Sequence, residues 1–186
     1  MKRRAMLLAI ACALVLPVTT IAASKEKEQA EVRQAAQSAL DALYKVQPSA
    51  RKAVASAAGY AAFNNFGVKI LVAGSGSGKG IAVNNKTKAI TYMKMAEIQA
   101  GLGFDAKKFR LIWVFENQKA LNTFVNSGWQ LGAQATASAK VGATGASYEG
   151  AVAVSPGVWL YQLTGDGLAL ELTAKGTKYY RDDDLN

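Results

Sequence analysis

The spacing of apolar residues predicts that the folded part of the chain begins with two helices. From Ser24 to Val46, apolar residues recur at intervals of three and four positions, and the opposite face is polar. Pro48 interrupts this pattern because its ring cannot continue a helix. A second helix is predicted from Ser49 to Ala58, with Gly59 as its stop. The apolar side of the first helix comprises Val32, Ala36, Ala39, Leu40, Leu43 and Val46.

After Gly59 the pattern changes to short apolar runs that are typical of strands. Phe109–Phe115 is the most apolar of them, which places it centrally in a sheet. A helix is predicted near 117–127, with Asn117 as its cap and Gly128 as its end. The predicted strands before this helix cover residues 60–66, 68–73, 81–84, 89–98, 99–104 and 109–115, with a glycine loop at 74–80 and a turn at 84–87.

The sequence pattern of the last third of the chain also predicts strands. Residues 129–155 are rich in Ala, Gly, Ser and Thr, and they are interpreted as two strands, 129–139 and 146–154. Pro156–Gly157 forms a turn. The apolar runs 158–163 and 168–173 flank a Gly/Asp cluster, which predicts a β-hairpin that completes an existing sheet.

These elements predict an α+β fold. N-terminal helices pack on a curved, mostly antiparallel sheet that could approach a barrel. No linker divides the chain after residue 23, so residues 24–186 form a single domain, helical over 24–58 and mainly β over 59–186.

Residues 1–23 have the pattern of a secretory signal peptide. Lys2, Arg3 and Arg4 precede an apolar stretch that ends at Leu16, and small residues follow, so cleavage is predicted after Ala22 or Ala23. The mature protein is then secreted across the inner membrane, to the periplasm or the outer membrane. In the alternative interpretation, Cys12 belongs to a lipobox and carries a lipid anchor.

Charge indicates an anionic partner. The chain of 186 residues has a formal net charge of +9, and residues 59–128 hold nine basic and three acidic side chains. Such a surface attracts anionic lipid headgroups. Nucleic acid is not predicted as a partner, because a secreted chain rarely meets a genome. The alternative is that these charges only keep the protein soluble.

Composition argues against an enzyme or a zinc protein. The chain has no histidine and one cysteine, so the common nucleophile–base pairs and Cys/His zinc sites are missing. No cofactor is predicted. Two carboxylates could still meet in space, as in a glycosidase. Asp182, Asp183 and Asp184 allow three interpretations: a cation site, a solvated acidic tail, or a fastening of the C-terminal segment to the fold.

Residues 73–80 nearly form a nucleotide-binding phosphate loop. Ala73 replaces the first glycine of that motif, and Gly80 replaces the Ser/Thr whose hydroxyl would bind Mg²⁺. A strand follows instead of a helix, so nucleotide binding is not predicted. Two interpretations remain, a plain hairpin loop and a loop whose amides, with Lys79, bind a lipid phosphate.

The C-terminal part of the chain carries a set of short segments at 158–162, 167–170 and 176–186, with weaker matches upstream at 74–78, 111–115, 120–124 and 131–132. Together these segments resemble the SYLF family, in its secreted bacterial branch. The resemblance implies a lipid-binding module that is not an enzyme. In eukaryotic relatives the domain is associated with phosphoinositides and actin.

Composition and resemblance together predict a secreted, non-enzymatic domain that recognises anionic phospholipid or phosphoinositide-like headgroups at a membrane surface. The alternative is a structural or protein-interaction module of the cell envelope. No metal site and no oligomeric state are predicted. The predicted headgroup-binding residues are Arg51, Lys52, Lys79, Lys107, Lys108 and Arg110.

Overall fold

A computed structural model describes residues 18–70, 73–100, 106–131, 148–165, 167–169 and 177–186. In these ranges, three helices pack against one antiparallel sheet that is curled into a half-barrel, which confirms the predicted α+β fold. The helices are α1 (Val18–Val46), α2 (Ala50–Ser56) and α3 (Gln118–Ser127). The strands are β1 (Gly59–Ile70), β2 (Ala73–Asn84), β3 (Ile90–Ala100), β4 (Ala106–Phe115), β5 (Trp129–Leu131), β6 (Val152–Ser155), β7 (Val158–Thr164), β8 (Gly167–Ala169) and β9 (Thr177–Arg181).

The strands follow the order β5-β9-β3-β2-β1-β4-β7-β6, and β8 pairs with β7. Long hairpins connect β1 with β2 and β2 with β3, and β4 returns to pair with β1. The late strands β7 and β9 therefore attach on opposite sides of a four-strand centre. This arrangement confirms that the hairpin beginning at Val158 joins an existing sheet.

Helix α1 begins at Val18, six residues before the predicted start, so the predicted cleavage site at Ala22–Ala23 falls within it. The predicted apolar side is buried against the sheet, except that Val46 is 47% exposed. Among the described residues, no helix combines the length and the apolar character that a bilayer span requires.

The sequence predicted that Gly59 stops the second helix, and this prediction is wrong. Helix α2 ends at Ser56, Ala57 is already extended, and Gly59 is the first residue of β1. A Cβ at Gly59 would overlap the carbonyl oxygen of Val83 and lie 2.6 Å from a methyl group of Leu121. The glycine is needed because β2 and Leu121 of α3 come too close at this position to leave room for a side chain.

The predicted glycine loop at residues 74–80 is also wrong, because these residues lie inside β2. Gly78 pairs with Asn65 of β1 on one side and with Met95 of β3 on the other. Likewise, β1 is one continuous strand where two were predicted, 60–66 and 68–73. Local glycine content indicates a turn, but pairing on both sides holds the segment extended. Its amides belong to the sheet, so they do not form a phosphate-binding loop.

The core has two layers, one on each face of the sheet. Leu111, Trp113 and Phe115 point toward α3, whereas Ile112 and Val114 point toward α1. All five are 0% exposed, which confirms the predicted central position of this strand. Burial of each large apolar side chain contributes roughly 1.5–3 kcal/mol.

The ends of α3 match the sequence prediction. The Asn117 side-chain oxygen accepts a hydrogen bond from the Ala120 amide at 2.9 Å, and Gly128 ends the helix with φ of 72°. The turns at 85–87 and 156–157 are confirmed. Residues 148–150 form a turn instead of the predicted strand, and residues 132–147 and 170–173 of the predicted strands lie outside the described ranges.

A substitution at Gly80 tests whether the packing around β2 leaves no room for a side chain at this position. A Cβ there would overlap the Ala62 carbonyl oxygen and lie 2.6 Å from the Phe63 ring. We expect Gly80→Ala to lower the free energy of unfolding by about 1–3 kcal/mol, as overpacking does. Urea denaturation measures the change. Gly165→Ala is the control, because nothing lies within 4 Å of its added Cβ. Equal stability of the two variants would contradict this packing.

Candidate functional site

The six predicted headgroup-binding residues are distributed over three elements. Arg51 and Lys52 lie on α2, Lys79 lies on β2, and β4 carries Lys107, Lys108 and Arg110. Helix α2 leads into the end of the sheet where Gly59 pairs with Phe115. Lys108 is seven residues back along β4, about 24 Å at the usual rise of an antiparallel strand. The structure therefore does not bring all six together.

Two of the six belong to a row that crosses the sheet. Arg110 of β4 pairs with Asn64 of β1, Asn64 pairs with Lys79 of β2, and Lys79 pairs with Lys94 of β3. We call Lys94, Lys79, Asn64 and Arg110 the cross-strand row. It lies on the face that α1 covers, since Lys79 contacts Glu28 of that helix. Sequence reasoning missed Lys94, because register between strands is not visible in composition.

The lysines of the cross-strand row are neutralised within the molecule. Lys79 forms an ion pair with Glu28, and Lys94 lies 2.8 Å from carboxylate oxygens of both Asp182 and Asp184. An exposed pair such as Lys79–Glu28 contributes about 1 kcal/mol or less. Any ligand phosphate at Lys79 would nevertheless compete with a carboxylate already in place.

Residues 182–186 fasten the end of the sequence to β3, and we call them the 182–186 clasp. The Asp182 amide donates to the Tyr92 carbonyl at 2.9 Å. The Asn186 side chain accepts from the Tyr92 amide at 3.0 Å and donates to the Tyr92 carbonyl at 2.8 Å. Leu185 is buried at 2% exposure. The clasp therefore closes over β3 by backbone, side-chain and apolar contacts.

Helix α1 is tied to the same clasp. Lys25 donates to the Asn186 carbonyl at 2.9 Å, and Gln29 donates to the Leu185 carbonyl at 2.7 Å. Asp182 is 1% exposed, so the interpretation as a solvated tail is wrong for this residue, although Asp183 remains exposed. In the described part of the chain, no three acidic, His or Cys side chains group as metal ligands. The fastening interpretation is confirmed.

The ion pairs of the clasp shift the pKa values of Lys94 and Asp184. Hydrogen bonds to Asp182 and Asp184 raise the pKa of Lys94, and a hydrogen bond from Lys94 lowers the pKa of Asp184. Both shifts favour the charged forms. Lys94 and Asp184 are therefore both charged at neutral pH, and the ion pair between them is formed.

An aromatic group lies under the other end of α1. Tyr161 is fully buried, and burial raises its pKa to about 12. Tyr148 stacks on Trp159 with ring centroids 4.6 Å apart, and the Trp159 indole donates to the Glu116 carboxylate at 2.8 Å. Arg51 lies over the Tyr44 ring at 4.4 Å from its centroid. These aromatic side chains pack against the fold instead of standing free.

Five exposed cations lie around one end of the sheet, and we call them the basic end. Helix α2 supplies two of them, the turn between β2 and β3 supplies two, and the start of α3 supplies the fifth. In the described ranges, none of the five forms a salt bridge with a carboxylate. The members of the basic end are Arg51, Lys52, Lys86, Lys88 and Lys119.

Asn85 joins the β2–β3 turn of the basic end to α2. Its side chain donates to the carbonyls of Val54 at 2.7 Å and Ala57 at 2.9 Å, which fixes the β2–β3 turn beneath α2. Ile90, just after the turn, is 41% exposed. Sequence analysis predicted the turn but not its contact with α2, and so it missed Lys86 and Lys88. Lys119 was missed because the position of α3 at the same end of the sheet has no signature in the sequence.

Comparison with known proteins shows similarity to a bacterial protein. No protein-family model matches the chain. The chain is similar to beta cell expansion factor A of Aeromonas veronii, with 34% identity over 150 residues that cover 81% of this chain and 56% of that protein. The chain thus spans little more than half the length of this curated relative.

A substitution at Lys94 tests the clasp. Lys94→Met leaves the buried Asp182 carboxylate without its cation, so we expect the free energy of unfolding to fall by about 3 kcal/mol. Lys178→Met on the exposed side of β9 is the control, and its effect is expected within about 0.5 kcal/mol. Chemical denaturation at pH 7 measures both. A Lys94→Met effect no larger than the control would contradict the structural role of the ion pair.

The difference in stability between the wild type and Lys94→Met should also depend on pH. Because the pKa of Asp184 is lowered on folding from 3.8, its stabilising contribution is complete above that value and is lost as pH falls through the folded value. The difference in stability between wild type and Lys94→Met should therefore narrow below about pH 4. A difference in stability that stays constant from pH 7 to pH 2 would exclude a contribution from the Asp184 carboxylate.

Proposed function

We propose that this protein is a non-enzymatic domain that binds anionic membrane surfaces through the basic end. The observation that carries the proposal is the contrast between two sets of cations. In the described ranges, Lys79 and Lys94 are matched by carboxylates, whereas the five cations of the basic end are exposed and have no such partner. Uncompensated cations grouped at one end of a fold favour an anionic surface.

The expected electrostatic free energy of attraction suits reversible binding at a membrane surface. Each Lys or Arg close to an anionic leaflet contributes about 1 kcal/mol, so five contribute at most about 5 kcal/mol. Ile90 projects from the same end and adds a small apolar contact. Because exposed charges are screened over about 10 Å at 0.1 M salt, binding of this kind weakens strongly as salt rises.

The proposal modifies the predicted site. Arg51 and Lys52 remain in it, and Lys86, Lys88 and Lys119 join them. Lys79 and Arg110 belong to the cross-strand row on another part of the sheet. The side chains of Lys107 and Lys108 lie outside the described part. The resemblance to the SYLF family supports lipid binding, and the pattern of residues 1–23 supports a membrane of the cell envelope as the surface.

A protein partner in the cell envelope is the second candidate. It is favoured by the aromatic group, in which Tyr44, Tyr148 and Trp159 are only partly buried beside Arg51. Tyr, Trp and Arg are enriched in protein interfaces. Such an interface would bind with little dependence on salt, which separates it from the first candidate.

Removal of three charges from the basic end tests the proposal. The triple variant Lys52→Gln, Lys86→Gln and Lys88→Gln should weaken binding to phosphatidylglycerol vesicles by about a hundredfold at low salt, since about 3 kcal/mol of attraction is lost. Arg51 is retained because it packs on Tyr44. Co-sedimentation of the protein with vesicles across a salt series measures the binding.

The matched control carries the same change in net charge elsewhere. Lys27, Lys178 and Arg181 are exposed and lie on α1 and β9, away from the basic end. The variant with Gln at these three positions retains all charges of the basic end. It should therefore bind vesicles with an affinity within about threefold of the wild type. If both triple variants weaken binding equally, only the overall charge matters and the proposed surface is wrong. Absence of wild-type binding at low salt would reject the membrane proposal and leave the protein partner.

A further inference from the structure

A small cavity lies between α3 and the β2–β3 hairpin, at the basic end. Its volume is about 170 Å³, and it is open to solvent. We call it the α3 pocket. Its floor is apolar, formed by Ala82, Leu121 and Val125, and its polar lining consists of Asn84, Thr91, Asn122 and Asn126.

Two of the asparagines are fixed so that they offer donors. The Asn84 side-chain oxygen accepts from the amides of Lys86 at 2.9 Å and Thr87 at 3.1 Å. The Asn122 side-chain oxygen accepts from the Gln118 side chain at 2.8 Å. With each oxygen engaged, the Nδ2 group of each amide is the part that remains for another partner. The α3 pocket thus presents two amide donors held in place by neighbouring residues.

The electrostatic surroundings of the α3 pocket favour a negative ligand. No carboxylate lines it among the described residues. Lys86 and Lys88 lie within two residues of Asn84 and Ala89 of the lining, and Lys119 lies one helical turn before Asn122. Amide donors next to cations, with no carboxylate in the described lining, suit a ligand group that carries several acceptor oxygens.

The size of the α3 pocket limits the ligand further. Sites for whole drug-sized molecules are usually larger than about 300 Å³. A cavity of about 150 Å³ holds a molecule the size of benzene. The α3 pocket therefore accommodates one compact group with a short carbon skeleton, and acyl chains would have to stay outside.

We propose that the α3 pocket binds a small phosphate ester of the glycerol phosphate type. Its phosphate oxygens accept from the Nδ2 groups of Asn84 and Asn122, its charge is balanced by the lysines of the basic end, and its carbons rest on Leu121 and Val125. As the headgroup of a phospholipid, this ligand rests on the function proposed above. As a free phosphate ester, it stands without that function.

Two isosteric variants test the α3 pocket without disturbing its frame. Asn84→Asp and Asn122→Asp keep the oxygen that accepts the internal hydrogen bonds but replace each donor by a second, negative oxygen. Asn117→Asp is the matched control. It adds the same charge at the cap of α3, where Asp is as good a cap as Asn, and Asn117 does not line the pocket.

The measurement is a titration of the ¹⁵N-labelled protein with sn-glycerol 3-phosphate, followed through the side-chain amide signals of Asn84 and Asn122. We expect these signals to shift, and each pocket variant to weaken binding about tenfold or more while the control stays within about threefold. Glycerate, a carboxylate of similar size, should bind more weakly. Unshifted amide signals, equal affinity for glycerate, or pocket variants that bind like the control would each overturn the proposal.

Vesicle binding by the same variants separates the two sources of the ligand. If Asn84→Asp and Asn122→Asp lose both glycerol phosphate and phosphatidylglycerol vesicles, the α3 pocket holds a lipid headgroup. If they lose only glycerol phosphate while the wild type still binds vesicles, the α3 pocket serves a free phosphate ester and the membrane surface acts independently. If they bind both ligands as the control does, the α3 pocket is rejected and the proposed membrane function is untouched.

Discussion

The structure depends on the burial of one strand from both sides. Five consecutive residues of β4, from Leu111 to Phe115, have no exposed surface. A strand that is covered on both faces requires a layer above and a layer below, and it requires neighbours on both edges. Helix α3 supplies one layer, α1 with α2 supplies the other, and β1 and β7 supply the neighbours. The remaining elements take their places from this requirement.

The distribution of charge follows from the same two-layer arrangement. On the face beneath α1, Lys79 and Lys94 lie next to carboxylates of α1 and of the 182–186 clasp. The five cations of the basic end form no salt bridge within the described ranges, and they remain in solvent. One basic sequence thus produces paired lysines on one face and a charged end. The charged end is where recognition is proposed.

Sequence analysis predicted those features that depend on neighbouring residues. The period of α1, the Asn117 cap, the apolar run of β4 and the turn after Pro156 each have a local signature, and the structure confirms them. Sequence analysis failed where contacts with residues distant in the sequence determine the local conformation. Glycines at 74–80 locally favour a loop, yet strands on both sides hold them extended.

The candidate site shows the same limit. Arg51 and Lys52 were predicted together because they lie side by side on one short helix. Lys86 and Lys88 were missed because only the hydrogen bonds of Asn85 to Val54 and Ala57 bring their turn to that helix. The α3 pocket was beyond prediction, since its polar lining comes from separate elements and consists of amides that have no sequence motif.

The clasp has a consequence for how the chain acquires its fold. The hydrogen bond between Lys25 and Asn186 joins residues 161 positions apart, and that between Gln29 and Leu185 joins residues 156 apart. Contacts of such separation form late, because the long intervening chain must be ordered first. During synthesis, α1 emerges first but cannot gain its final contacts until residue 186 has left the ribosome. The N-terminal helix therefore stays without its last hydrogen bonds until residues 185 and 186 are available, so the two ends of the described fold are completed in one step.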